Sequence, residues 1–397
     1  MKSKTGLQLL LLLVLTNNGF AQQRNHRAPE ATPAENTGSF QDIPYLTEAF
    51  IDASPRDGKD GIPVGELGID GGDKALILKL GHDIAAGKYG NFDSFLIVYK
   101  GKLLFESYYR RGRIDLPHPQ ASATKSYTSL ALGRAIQLGY LTMADLDKSL
   151  VSFLKELDPT KFVVGAERIT LHQALTMRGG LGISKAQREE FEKDPNRLKG
   201  QGQVQTLLEF SAPITAASQD FLYGNFNPAL VMQVIEAVVP GSAKDFIKEE
   251  LLDKMGITNY CWETDISGLP RAGSRSSMTS RDMVKWGILV ANKGKWQGEQ
   301  LVPAAFIARA TRKIVDQSDE YDDTSGGISG TAYGYFWWQA DFSAGDKNYF
   351  SKAARGGSGQ TINVIETLDL VVVTTTHRSV DDPISVTATR VLPAFIE

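Results

Sequence analysis

Ser122 and Lys125 form a Ser-x-x-Lys pair that could supply a nucleophile and a base from one helix face. Helical residues three apart lie on the same side, so the hydroxyl and the amine would be neighbours. Farther along the chain, Tyr223-Gly-Asn225 offers a phenol and an amide. A serine hydroxyl is a weak nucleophile until a base accepts its proton, and lysine or tyrosine can do so when its pKa is shifted. Together these side chains predict nucleophilic attack on a carbonyl group.

Neither motif is specific by itself, because both recur in this chain. Ser152-Phe-Leu-Lys155 also fits the first pattern, and Tyr89-Gly-Asn91 fits the second. Ser122 follows a polar loop and precedes an apolar helical pattern, which places its hydroxyl at a helix N-terminus, where negative charge is favoured. Ser152 lies inside an amphipathic stretch and Tyr89 precedes a strand, so structural roles are favoured for both. For Ser122 and Lys125 the alternative is a capping serine and a surface lysine.

Other catalytic patterns fit the chain less well. No two of the five histidines have helical ligand spacing, so no metal site is predicted. The glycine-rich run Gly356–Gln360 comes close to a Gly-x-Ser-x-Gly elbow but ends in glutamine. It also lacks the Lys-Ser/Thr that follows a phosphate-binding loop. We interpret its glycines as an edge strand whose backbone approaches a substrate closely.

Composition bounds the class of protein. The chain has 397 residues, of which 42% are hydrophobic and 22% charged, as expected for one large globular domain or two lobes. A net charge of −3 gives no electrostatic reason to expect nucleic acid as a partner. The single cysteine, Cys261, excludes an intramolecular disulfide.

Residues 1–21 have the features of a secretory signal peptide. Lys2 and Lys4 precede the apolar run Leu9–Leu15, which is too short to span a bilayer, and Gly19-Phe-Ala21 fits a cleavage site. Cleavage would remove two lysines and no acids, so the net charge would change from −3 to −5. We therefore expect an exported bacterial protein, periplasmic or secreted, with no membrane span in its mature chain.

Strands at both ends of the chain, with helices between them, predict the fold. Residues 95–109 favour a β-hairpin, and β-rich segments return after Tyr333, whereas residues from about 140 to 315 favour helices and loops. The economical arrangement is α+β, an antiparallel sheet built from both chain ends and flanked by helices, with a mainly helical lobe inserted. The polar residues 22–44 are expected to form a flexible leader before this domain, which would span residues 45–397.

Several segments resemble one family in the same order. Ser122-Ala-Thr-Lys-Ser-Tyr-Thr-Ser129 resembles the nucleophile motif of the serine hydrolases related to class C β-lactamases and penicillin-binding proteins. Further similar segments are Ile169–Leu181, Phe221–Asn225 and Ala354–Gln360. The resemblance extends from about residue 60 to the end of the chain and implies the α/β sandwich of the β-lactamase and transpeptidase fold.

This resemblance implies an acyl-enzyme mechanism that needs neither a metal nor an organic cofactor. Ser122 would attack the carbonyl, and Lys125 with Tyr223 would act as one coupled base, because an ammonium beside a phenol favours phenolate. Asn225 would orient Lys125 or a substrate carbonyl.

The same resemblance places an oxyanion and substrate site in the third motif. The N–H groups of Ser122 and Gln360 would stabilise the oxyanion, and Ser358 and Gly359 would lie against the substrate. We expect the pocket walls to come from Tyr333–Trp338 and from the loop 312–330.

The chain departs from the family at this third motif. Members that recognise lactams carry Lys-Thr/Ser-Gly where this chain has Gly357-Ser-Gly359, unless Arg355 replaces the lysine from two residues upstream. Without a cation at this position, a substrate carboxylate would lose a charge-assisted contact of roughly 1.5–3 kcal/mol. The departure favours a hydrolase of small-molecule esters, short amides or peptides, in the branch that includes nylon-oligomer hydrolases. The alternatives are a β-lactamase or D-amino-acid peptidase, and a non-catalytic protein that binds cell-wall peptide.

Overall fold

The computed structural model describes residues 27–379 and 382–396, so the expected signal peptide and residues 22–26 lie outside the described residues. In this part of the chain, nine strands form one antiparallel sheet in the order β1-β3-β2-β14-β13-β12-β11-β10-β9. A second sheet has the order β4-β6-β5, and β7 pairs with β8.

The strands are β1 (Phe50–Asp52), β2 (Gly90–Tyr99), β3 (Lys102–Tyr108), β4 (His118–Pro119), β5 (Tyr260–Trp262), β6 (Ser276–Met278), β7 (Lys295–Trp296), β8 (Glu299–Gln300), β9 (Val315–Asp316), β10 (Ile328–Tyr333), β11 (Trp338–Ala344), β12 (Lys347–Gly356), β13 (Gln360–Ile365) and β14 (Leu370–Ser379). The helices are α1 (Pro33–Thr37), α2 (Lys74–Ala85), α3 (Thr124–Gln137), α4 (Leu171–Leu175), α5 (Lys185–Glu192), α6 (Gly202–Phe210), α7 (Phe226–Val238), α8 (Ala243–Ile247), α9 (Ser280–Ala291), α10 (Ala304–Ala310), α11 (Ser318–Tyr321) and α12 (Pro383–Val386).

The central pair of strands joins the two ends of the chain, as predicted. β2 pairs with β14 in an antiparallel register from Leu370 opposite Tyr99 to Ser379 opposite Gly90. Both strands are largely buried, because helices cover both faces of the sheet. The α+β architecture predicted from the sequence is confirmed.

The inserted lobe is shorter than the sequence indicates. Helices α4–α8 lie in it, but α9 packs against β13 and β14 of the main sheet. A Cβ atom at Gly287 would lie 2.4 Å from Val371 Cγ1 and 3.0 Å from Ile362 Cγ2. The helical periodicity of this segment is visible in the sequence, whereas the surface that it covers is not.

Residues 27–44, expected to belong to a flexible leader, contact the body of the domain. Glu35 forms a largely buried ion pair with Arg113 at 2.7 Å. The N–H of Ile114 donates to the carbonyl oxygen of Pro29 at 2.8 Å, and that of Ala31 donates to the Asp115 carboxylate at 2.7 Å. These partners are distant in sequence, so local composition does not reveal them.

Within residues 27–379 and 382–396, none of the helices combines the length and the apolar character that a membrane crossing needs.

Candidate active site

Ser122 lies on a short 3-10 turn, Ala121–Ala123, that leads directly into α3. Ala121 has a φ of +46°, a left-handed conformation that is unfavourable for a residue with a Cβ atom. The Thr124 hydroxyl donates to the Ala121 carbonyl oxygen at 2.7 Å and so closes the turn. Such strain persists only where the surroundings enforce it, and it is commonly found at functional sites.

Lys125 places its amine directly behind the Ser122 hydroxyl. Its Nζ atom lies 3.1 Å from Ser122 Oγ, 3.0 Å from Asn225 Oδ1 and 2.8 Å from the Gly273 carbonyl oxygen. The side chain is 2% exposed, and burial lowers the pKa of Lys125 to about 8. A surface lysine, the alternative for this residue, is therefore wrong.

Asn225 and Gly273 form the wall on the far side of the Lys125 amine. Asn225 lies at the start of α7. A Cβ atom at Gly273 would lie 2.4 Å from Asn225 Oδ1 and 3.4 Å from Lys125 Nζ. Only glycine therefore lets the chain pass this close to both groups. Sequence reasoning missed Gly273, because no motif surrounds it.

Tyr223 completes the cluster. The Lys125 Nζ atom lies 4.8 Å from the centroid of its ring. Burial raises the pKa of Tyr223, and this outweighs the opposing effects of Ser122 and of the Arg355 charge. Removal from water penalises the charged phenolate, so the net shift of the Tyr223 pKa is opposite to the one expected from a neighbouring ammonium.

The segment of the third motif forms a turn between two interior strands. β12 ends at Gly356 and β13 begins at Gln360, with Ser358 and Gly359 between them at φ values of +75° and +97°. β12 lies between β11 and β13, so the prediction of an edge strand is wrong.

At Gly356 the turn approaches the protein's own backbone closely. A Cβ atom at Gly356 would lie 2.3 Å from the carbonyl oxygen of Gln120, two residues before Ser122. This contact brings the end of β12 against the nucleophile turn. The Gln360 side chain is buried and donates to the Thr376 carbonyl oxygen at 2.8 Å.

Arg355 lies near the site, but its charge is already paired. Its guanidinium lies 5.4 Å from the centroid of the Trp338 ring and forms an ion pair with Asp382. The Trp338 ring in turn packs 5.8 Å from that of Tyr223.

A cleft of about 1010 Å³ opens beside Tyr223 and Asn225. The inserted lobe supplies its apolar walls, which include Leu181, Ile183, Phe191, Leu198, Leu207 and Ile266. The walls expected at Tyr333–Trp338 are not found there, because Tyr333 and Trp338 pack against Tyr223 instead. A cleft of about 1050 Å³ lies elsewhere, lined by Lys100, Trp296 and other residues, and holds none of the candidate catalytic groups.

No group of three or more histidine, cysteine, aspartate or glutamate side chains in the described part of the chain is arranged to hold a metal ion. The cluster brings a hydroxyl, an amine, a phenol and an amide close together around Lys125, which suits covalent catalysis on a carbonyl carbon.

Comparison with known proteins supports this view of the chemistry. The family model described as Beta-lactamase matches residues 93–393. Comparison with curated proteins finds no significant match.

Solved structures share the fold at low sequence identity. A Bacillus anthracis protein described as a 6-aminohexanoate-dimer hydrolase is 19% identical, with a TM-score of 0.60 over 91% of this chain and 92% of its own. A penicillin-binding protein homologue from Caulobacter crescentus is 14% identical, with a TM-score of 0.60 over 81% and 97%. A hydrolase with promiscuous acyltransferase activity is 14% identical, with a TM-score of 0.58 over 81% and 97%.

Proposed function

Because the chain belongs to the Beta-lactamase family, we propose that it is an exported serine hydrolase that cleaves esters or short amides through an acyl-enzyme on Ser122. One observation carries this proposal: the Lys125 amine lies 3.1 Å from the Ser122 hydroxyl, and burial lowers its pKa to about 8. A buried lysine is costly for stability, and a binding protein would have no need of it. This argues against the non-catalytic alternative.

Lys125 is the better candidate for the first proton acceptor. Its pKa lies nearer to neutrality than that of Tyr223, which burial raises. In this mechanism Lys125 takes the proton of Ser122 as the hydroxyl attacks, and Tyr223 donates a proton to the leaving group. The same pair then activates water for deacylation, so the two groups titrate as one system.

The remaining candidate residues position these steps. Asn225 and the Gly273 carbonyl oxygen hold the Lys125 amine beside Ser122. The N–H groups of Ser122 and Gln360 are proposed to bind the oxyanion, since the end of β12 lies against the nucleophile turn. Ser358 and Gly359, on the turn between β12 and β13, would contact the substrate.

The charges around the site favour neutral substrates. Arg355, two residues before the position of the missing lysine of the third motif, is paired with Asp382. A substrate carboxylate entering there would lose water without gaining an unpaired cation. The apolar cleft beside Tyr223 can accept a hydrocarbon group of the acyl or leaving portion.

A lactam or D-amino-acid peptide substrate is a second candidate, supported by Arg271. This arginine lines the cleft beside Asn225, and its ion pair with the exposed Glu263, at 3.8 Å, is longer than the 2.5 Å pair of Arg355 with Asp382. A carboxylate bound in this cleft could therefore meet a loosely paired cation.

Turnover of a small panel of compounds tests the proposal. Purified protein would be assayed with a nitrophenyl butyrate, a short nitroanilide amide and a chromogenic cephalosporin. We expect the ester to have the highest kcat/KM. Absence of turnover with all three would favour the binding protein, and a preference for the cephalosporin would favour the second candidate.

A further inference from the structure

Asp93, fully buried on β2, lies between two histidines that the proposed mechanism does not use. Its carboxylate is 3.1 Å from Nε2 of His118 and 2.8 Å from Nδ1 of His377, and the N–H of Arg111 donates to it at 3.1 Å. Burial alone would raise the pKa of Asp93, but the hydrogen bonds from the two histidines outweigh it and hold this pKa below its usual value. Asp93 is therefore a carboxylate in the folded protein.

Both ring nitrogens of His118 face atoms that can only accept a hydrogen bond. Nε2 faces the Asp93 carboxylate, and Nδ1 lies 2.9 Å from the Pro119 carbonyl oxygen. A neutral imidazole has one N–H, so only the doubly protonated ring satisfies both contacts. His377 has no such requirement, because the Tyr45 hydroxyl, 2.8 Å from its Nε2, can donate to it. Because the Asp93 carboxylate can only accept, these partners place a proton on Nε2 of His118, directed at Asp93.

His118 lies on β4, just before the nucleophile turn, and its main chain holds the residue that starts this turn. The carbonyl oxygen of His118 accepts a hydrogen bond from the Gln120 side-chain amide at 2.8 Å. The other end of that amide accepts from the Tyr127 hydroxyl on α3, also at 2.8 Å. Gln120 is fully buried, and its own carbonyl oxygen accepts from the N–H of Ala123. The turn that carries Ser122 is therefore tied through Gln120 to both His118 and α3.

We infer that His118 and Asp93 form a buried hydrogen-bonded pair that positions the nucleophile turn, an inference that rests on the proposed role of Ser122. The pair joins β4 of the small sheet to β2 of the main sheet. Loss of His118 would leave the Asp93 charge with fewer partners and release the strand that precedes Gln120. The left-handed Ala121 would then be free to relax and would move the Ser122 hydroxyl. His118 does not touch the reacting atoms, so it is a positioning residue.

The test measures the rate at which a fluorophosphonate labels Ser122 in the full chain, with KM for a nitrophenyl ester measured alongside. His118→Leu fills the space beside Phe40 but donates nothing, and we expect labelling to slow on the order of a hundredfold, as for a small misplacement of a reacting group. His118→Gln can still donate to Asp93 and should restore part of the rate. KM should stay within about threefold in both variants, because binding groups are untouched. The matched control His377→Leu removes the other histidine partner of Asp93 and should label within about threefold of wild type.

The outcomes separate this inference from the proposed function. If the wild type is labelled at Ser122 and both His118 variants are labelled at the wild-type rate, the positioning role alone would be overturned. Equal slowing in His377→Leu and His118→Leu would overturn it as well, since loss of any partner of Asp93 would then suffice. Absence of wild-type labelling would overturn both proposals. If the variants do not fold, imidazole ¹⁵N spectra of the wild type decide: Nε2 of His118 should carry a proton that points to Asp93, and an unprotonated Nε2 would contradict the pair.

Discussion

At the scale of residues, the protonation state of Lys125 controls the proposed chemistry. Because burial lowers its pKa to about 8, only about a tenth of the amine is neutral at pH 7. We predict that kcat/KM for a neutral ester rises with pH through about 8, as Lys125 loses its proton. Lys125→Ala and Tyr223→Phe should each lower kcat on the order of 10²–10⁴-fold, and the double variant little more.

A pH series on the wild type and the three variants checks this. The rising limb should vanish in Lys125→Ala. The two groups do not act as one base if the fold-decreases in kcat of the single variants multiply in the double variant. The same conclusion follows if kcat/KM still rises with pH through about 8 in Lys125→Ala.

The pairing of Arg355 makes a second prediction at this scale. With Asp382 bound to its guanidinium, Arg355 should contribute little to the binding of a carboxylate substrate. Arg355→Ala should therefore leave the preference for nitrophenyl butyrate over a chromogenic cephalosporin unchanged within about threefold, since kcat/KM reports transition-state contacts. The measurement is the ratio of the two kcat/KM values. A wild-type preference for the cephalosporin that disappears in Arg355→Ala would assign to Arg355 the role of the missing lysine.

Local sequence motifs identified some residues of the site and missed others. Ser122 and Lys125 are three apart on one turn of chain, and Tyr223 and Asn225 two apart, so spacing alone suggested that each pair would meet. The Gly273 carbonyl oxygen is 148 residues from Lys125 in sequence, and no local pattern marks it. The direction in which the Tyr223 pKa shifts also could not be predicted from the sequence, because it depends on burial by rings such as that of Trp338.

At the scale of elements, the packing of β12 against the nucleophile turn makes a prediction about two adjacent glycines. A methyl group at Gly356 would lie 2.3 Å from the rigid backbone oxygen of Gln120, whereas one at Gly357 would meet nothing within 4 Å. Gly356→Ala should cost on the order of 1–3 kcal/mol of stability, as overpacking does, and should lower kcat. Gly357→Ala is the matched control.

Urea unfolding and ester hydrolysis of the two variants check this contact. Gly357→Ala should stay within about 0.5 kcal/mol of wild type, as surface changes usually do. Equal effects in the two variants would mean that the contact between β12 and the turn does not position Ser122.

The periodicity of apolar residues predicted where helices and strands occur better than it predicted which elements pack against each other. The hairpin of β2 and β3, the helix α3 and the closing strands follow from apolar spacing and from the Lys100-Gly turn. The segment Tyr335–Trp338 was expected to be β-rich, yet it is mostly a turn, with Phe336 at a φ of +61°. A run of aromatic residues does not reveal this, because the neighbouring strands and the partner Leu175 set the turn.

At the scale of the whole molecule, residues 27–44 are predicted to add stability. They contribute the buried ion pair of Glu35 with Arg113, and Phe40 packs 4.3 Å from the ring of His118. A chain that begins at residue 45 should unfold several degrees below one that begins at residue 27, because breaking a buried pair costs about 3–5 kcal/mol. Thermal unfolding of both chains, with Glu35→Gln as the single-contact comparison, measures the difference. Identical midpoints of thermal unfolding for the two chains would show that residues 27–44 add no stability.

The measurement that bears most directly on the central claim is the mass of the acyl-enzyme. The protein would be mixed with a nitrophenyl butyrate, quenched in acid within milliseconds and digested. We predict a butyryl group on the peptide that contains Ser122, present also in the control Ser152→Ala and absent in Ser122→Ala. Ser152 donates its hydroxyl to the Ser149 carbonyl oxygen at 2.6 Å and has a structural role. Turnover of the ester with no adduct at Ser122, or with an adduct at another residue, would contradict the account.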